Sequence, residues 1–66
     1  MTIDNNLQSR ANDAFDRLTG AGFSLAEIGR RIDYTRIHVS RVRNGQSKPI
    51  LRFVLLLESL VDSLEG

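Results

Sequence analysis

The sequence predicts an all-α fold, a small four- to five-helix bundle in one domain, and three observations lead there. Apolar residues recur at steps of three and four from about residue 5 to 19, the spacing of a single helical face. Between Ser24 and Gly45 lie two short helices, each opened by a hydroxyl-bearing cap residue and joined by a tight turn. Pro49 then suits the first turn of a last, strongly apolar helix over residues 50–64. A chain of 66 residues can enclose only one small core, which at this size is marginal without disulfides, a metal or a partner copy.

Taken in order, residues 1–4 are expected to fray or form an arm, with Asn5 capping the first helix and Gln8 three residues on. Leu7, Ala11, Ala14, Phe15 and Leu18 make its apolar stripe, so this helix is scaffold, and Arg10, Asp13, Asp16 and Arg17 fall off the stripe as solvated pairs. Gly20-Ala21-Gly22 reads as the helix C-cap, and Phe23 as a core plug ahead of the next cap. Ser24-Leu25-Ala26-Glu27 is a capping box, in which the Ser24 hydroxyl accepts from the amide three residues on and Glu27 reaches back. Ile28 and Ile32 carry the apolar face of this second helix. Thr35 caps a third, on which Val39 and Val42 repeat at helical spacing and Asn44-Gly45 ends the run. Helices linked so tightly cross steeply, and the contact needs one small residue, a place that Gly29 fits.

Charge is distributed unevenly. The whole chain carries +1, yet residues 30–52 hold seven Lys and Arg against Asp33 alone, a local balance of +6. The flanks are acidic: two Arg against four acids in residues 1–29, and three acids with no base in residues 53–66. A basic segment of this kind is the electrostatic footprint of a phosphate-binding face. There is no cysteine and only one His, so neither a disulfide nor a structural zinc is expected, and oligomerisation remains as the means of support. No apolar run reaches membrane-spanning length and the N-terminus lacks the plan of a signal peptide, so a cytoplasmic protein is expected.

The segment from residue 22 to about 57 resembles the lambda-repressor-like helix-turn-helix family, the Cro and repressor type. The resemblance rests on Ile28-Gly29, Ile32-Asp33, Thr35 and the run Val39-Ser40-Arg41-Val42-Arg43-Asn44-Gly45. Two positions depart from the family pattern. Asp33 stands where a left-handed Gly is usual, a conformation Asp tolerates better than most residues. Arg43 stands where an acidic residue is usual and Leu18 where its Arg partner would be, which removes the basis for the family's ion pair back to the first helix.

The resemblance implies a transcriptional regulator, most often a repressor, that binds double-stranded DNA as a homodimer at an inverted-repeat operator, in a bacterial or phage-infected cell and associated with the nucleoid. The third helix would enter the major groove with Arg36, Ile37, Ser40 and Arg41 toward base edges, a set suited to guanine and to thymine methyl groups. Ser24, Thr35, Asn44, Lys48, Arg31 and Arg43 would contact phosphates. His38 is expected to pack or to touch a phosphate, and Tyr34 to anchor the turn. In the last helix Leu51, Val54, Leu55 and Val61 match the family's core positions. That leaves Phe53, Leu56, Leu60 and Leu64 as a second stripe, expected to form a homodimer surface. No cofactor, metal or small-molecule ligand is expected. No arrangement of nucleophile, base or metal ligands is recognisable by spacing, so an enzyme is not expected. The alternative is an antitoxin or adaptor whose apolar last helix binds another protein. RNA recognition would call for more exposed aromatics than three Phe and one Tyr supply.

Overall fold

In a computed structural model that describes residues 3–65, the chain forms four helices: α1 (Ile3–Gly20), α2 (Leu25–Ile32), α3 (Arg36–Arg43) and α4 (Leu51–Glu65). No strand occurs among the described residues. α1 lies against α4, α2 against α3, and α2 also touches α4. Because α1 opens at Ile3, Asn5 sits inside the helix and is not its cap; residues 1 and 2 of the expected arm lie outside the described residues. The expected stripe of α1 is the buried one: Leu7, Ala11, Ala14, Phe15 and Leu18 all enter the core.

Each short connection is closed by backbone hydrogen bonds that the sequence demands. After α1, Gly22 takes φ +100° while Phe23 N–H donates to Leu18 O (3.0 Å) and Gly22 N–H to Thr19 O (3.0 Å), the paired bonds of a Schellman ending. Gly45 does the same after α3 at φ +81°, with Gln46 N–H donating to Arg41 O (2.8 Å) and Gly45 N–H to Val42 O (3.1 Å). Between α2 and α3 the turning residue is Asp33, at φ +66° and ψ +41°, and Tyr34 N–H donates to Gly29 O at 2.8 Å. The capping box is complete, with Glu27 N–H on Ser24 Oγ (3.1 Å) and Ser24 N–H on Glu27 Oε1 (3.2 Å). Thr35 Oγ1 accepts from His38 N–H at 3.1 Å and starts α3.

Gly29 lets the two short helices touch. A Cβ there would lie 2.6 Å from Tyr34 O and 3.3 Å from Val39 Cγ2. Ile28, Ile32, Val39 and Val42 close over this contact and join the core.

α4 presents a different face from the one expected. Phe53, Val54, Leu57 and Val61 are buried, whereas Leu51 and Leu55 are 52 % and 49 % exposed. Phe53 is therefore corrected from surface to core. Its ring packs at 6.2 Å from Phe15, meets Tyr34 edge-on at 5.0 Å and His38 at 5.5 Å. The reason is position: the ring sits where Phe15 of α1, Tyr34 of the turn and His38 of α3 meet, and full burial of a Phe is worth about 1.5–3 kcal/mol. Leu56 and Leu60 are half-buried against the core, and Leu64 stays outside at 43 % exposure. Pro49 lies just ahead of the helix instead of in its first turn, and is buried.

Candidate functional site

α3 is divided lengthwise. Val39 and Val42 are fully buried, and the opposite side turns outward with Arg36, Ile37 and Arg41 exposed and Ser40 half-buried. Ile37 is 65 % exposed, a high value for an isoleucine on a helix fixed so firmly on its other side. Arg36, Ile37, Ser40 and Arg41, the four residues the resemblance makes base readers, line one open concavity together with Gln46. Gln46 is absent from the sequence expectation. It reaches the concavity because the Schellman ending folds the chain back over Arg41, and its side-chain amide has no hydrogen-bond partner among the described residues.

The base of α3 is held by rings. Tyr34 stacks on His38 (5.1 Å between centroids, 27°), and both meet Phe53 edge-on. Tyr34 anchors the turn, as expected of it, and His38 is a packed residue.

The expected phosphate contacts divide into three groups. Lys48 is exposed with no partner among the described residues, and the Thr35 hydroxyl has accepted one bond and keeps its proton to donate. The Asn44 amide reaches Ser40 Oγ only at 3.5 Å, so it too is nearly free. Ser24 is committed elsewhere: its amide points to Glu27 Oε1 at 3.2 Å and its hydroxyl to the same oxygen at 3.4 Å. Arg31 lies over the Phe23 ring at 5.2 Å with its guanidinium still exposed. Arg43 is turned onto α1, donating to Asp16 Oδ1 at 3.1 Å and lying 5.8 Å above the Phe15 ring. An ion pair between α3 and α1 thus exists after all, with the cation on α3 and the acid on α1, and Arg43 does not belong with the outward set.

Electrostatically, Arg30, Arg31, Arg36, Arg41, Lys48 and Arg52 are all exposed, and none has a carboxylate partner among the described residues. Three acids of the flanks are taken by other arginines: Glu58 by Arg10, Asp13 by Arg17, Asp16 by Arg43. The first turn of α3 has no acidic residue, so its positive dipole end is uncompensated. Strongest of the pairs is Arg10–Glu58, a fork of 2.9 and 2.6 Å joining α1 to α4; the hydrogen bonds from Arg10 hold the Glu58 carboxyl below its ordinary range. No three His, Asp or Glu side chains among the described residues converge as metal ligands, and no described helix is long and apolar enough to cross a membrane. Compared with known protein families, curated proteins and solved structures, the chain matches none.

Proposed function

We propose that the chain is a sequence-specific double-stranded DNA-binding transcriptional regulator, a homodimeric repressor of the lambda-repressor-like helix-turn-helix kind. α2 and α3 would form the helix-turn-helix, with α3 in the major groove of an inverted-repeat operator. The observation that carries this reading is the outward side of α3: Arg36, Ile37, Ser40 and Arg41 share one open face inside a segment whose six exposed cations lack acidic partners among the described residues. Unpaired cations are what phosphates would complete, and each phosphate neutralised releases counterions. Base edges are read by Arg36 and Arg41 with bidentate contact to guanine, and by Ile37 against thymine methyl groups, while Lys48, Thr35 and Asn44 hold the backbone. Occupancy of a promoter by such a dimer represses by exclusion.

Two substitutions test the division of labour. Arg41→Ala should relax preference at one position of the half-site, at about 1–3 kcal/mol of lost discrimination. Lys48→Ala should weaken all sequences alike and lower the salt slope by about one. An unchanged sequence profile for Arg41→Ala, or an unchanged slope for Lys48→Ala, removes that residue from its role. A second reading, an adaptor or antitoxin whose last helix binds another protein, is favoured by one observation, the exposure of Ile50, Leu51 and Leu55.

A further inference from the structure

The two Schellman endings of this chain are built alike and filled differently. In such an ending the residue whose N–H bonds back to the carbonyl five positions earlier lies beside the residue that owns the carbonyl, and the usual occupants are an apolar pair. After α1 the pair is Leu18 and Phe23; Leu18 is buried and Phe23 packs against the core. After α3 the equivalent positions hold Arg41 and Gln46. Both are exposed, both line the concavity formed with Arg36, Ile37 and Ser40, and neither side chain has a hydrogen-bond or ion-pair partner among the described residues. Their relative placement is fixed by backbone. Arg41 O accepts from Gln46 N–H at 2.8 Å and from Ser47 N–H at 3.2 Å, and Gly45 at φ +81° supplies the reversal between them. An exposed polar pair gains little from burial of apolar surface, so packing does not explain why these two residues occupy a place that Leu and Phe fill elsewhere in the same chain.

We propose that Gln46 is a further specificity-determining residue, which reads an adenine next to the guanine read by Arg41. This rests on the DNA reading above and extends it beyond α3 to the first residue past its terminal glycine. A primary amide presents a donor and an acceptor side by side, the complement of adenine N7 and N6–H in the major groove, just as a guanidinium is the complement of guanine O6 and N7. Two such side chains held next to each other meet neighbouring bases, so Arg41 and Gln46 together read a two-base step. Because the backbone of Gln46 is already bonded to α3, contact with the base orders a side chain and not a loop, which keeps the entropic cost of the contact low.

The test is selection from random duplex DNA with the parent chain and with Gln46→Ala, Gln46→Glu and Arg41→Ala, alongside circular dichroism of each. The Gln46 variants keep the backbone bonds of the ending and should melt with the parent chain. Gln46→Ala should lose about tenfold in preference for adenine at one position, adjacent to the position that Arg41→Ala relaxes, with the salt slope unchanged because no charge is removed. Gln46→Glu, whose carboxylate only accepts, should move the preference at that position to cytosine, whose N4 amino group donates. A residue that merely shaped the turn would give no such exchange of bases. A parent chain that selects a sequence while both Gln46 variants keep its profile, or bind every sequence more weakly to the same degree, overturns the assignment and leaves the DNA reading standing. So does a relaxed position that is not adjacent to that of Arg41. A parent chain that selects no sequence removes both.

Discussion

Gly29→Ala gives a prediction whose sign depends on the packing of α2 on α3. In an open helical position Ala is favoured over Gly by roughly 1 kcal/mol, which in a domain of this size raises Tm by about 4–8 °C. At Gly29 the added Cβ would stand 2.6 Å from Tyr34 O, and ordinary contact begins at 3.4 Å, so the carbonyl must retreat by roughly 0.8 Å. It has little freedom to do so. Tyr34 N–H is bonded to Gly29 O at 2.8 Å, and the Tyr34 ring is wedged between His38 and Phe53. Overpacking of this kind costs about 1–3 kcal/mol, and because backbone must move the upper half of that range applies. The net loss is then about 1–2 kcal/mol, a fall in Tm of roughly 5–15 °C by circular dichroism at the helix band. Gly20→Ala is the control: Gly20 closes α1 with nothing within 4 Å of a built Cβ, so its Tm should hold or rise. A rise in Tm for Gly29→Ala comparable to that control would refute the close approach of α2 and α3.

Three further outcomes follow from the packing and the caps. Phe53→Ala should cost about 3–5 kcal/mol and leave little folded chain, while Leu64→Ala should change stability by less than about 0.5 kcal/mol; comparable losses in urea unfolding would return Phe53 to the surface. Ser24→Ala removes the hydroxyl of the capping box and should cost about 1 kcal/mol in the same assay, with no loss meaning that the cap is idle. Glu58 titrates below its ordinary range when folded because Arg10 stabilises its charged form, so the unfolded chain takes up that proton first. The stability it adds is complete above about pH 4.3, the ordinary glutamate value, and is lost as the pH falls through the lower folded value. Denaturant titrations against pH should therefore show a steeper acid limb for the parent chain than for Glu58→Gln, and coincident curves would mean that the Arg10 fork adds nothing in solution.

What was legible in the sequence was local. The Ser24 and Thr35 caps, the small residue at Gly29 and the turning residue at Asp33 each follow from neighbours within a few positions, and the structure shows all four in those roles. The face of α1 was legible because it has only one apolar stripe. α4 offered no such choice: ten of residues 50–64 are apolar and lie on almost every side, so periodicity alone could not decide which are buried. The decision is made by the hole that Phe15, Tyr34 and His38 leave for Phe53, a tertiary fact. Arg43 was misplaced for a similar reason, since its partner Asp16 lies 27 residues away and meets it only once α3 rests on α1. Gln46 carried a faint signal, its position one residue past Gly45, where a Schellman ending turns the chain back over its own helix.

Whether the outward side of α3 reads DNA, as proposed, is decided by selection of bound sequences from random duplex DNA at two salt concentrations. Enrichment of an inverted repeat is expected, with G and T in each half-site and half-sites about one turn, roughly 34 Å, apart. Absence of enrichment, or binding blind to sequence at both salt concentrations, would contradict it.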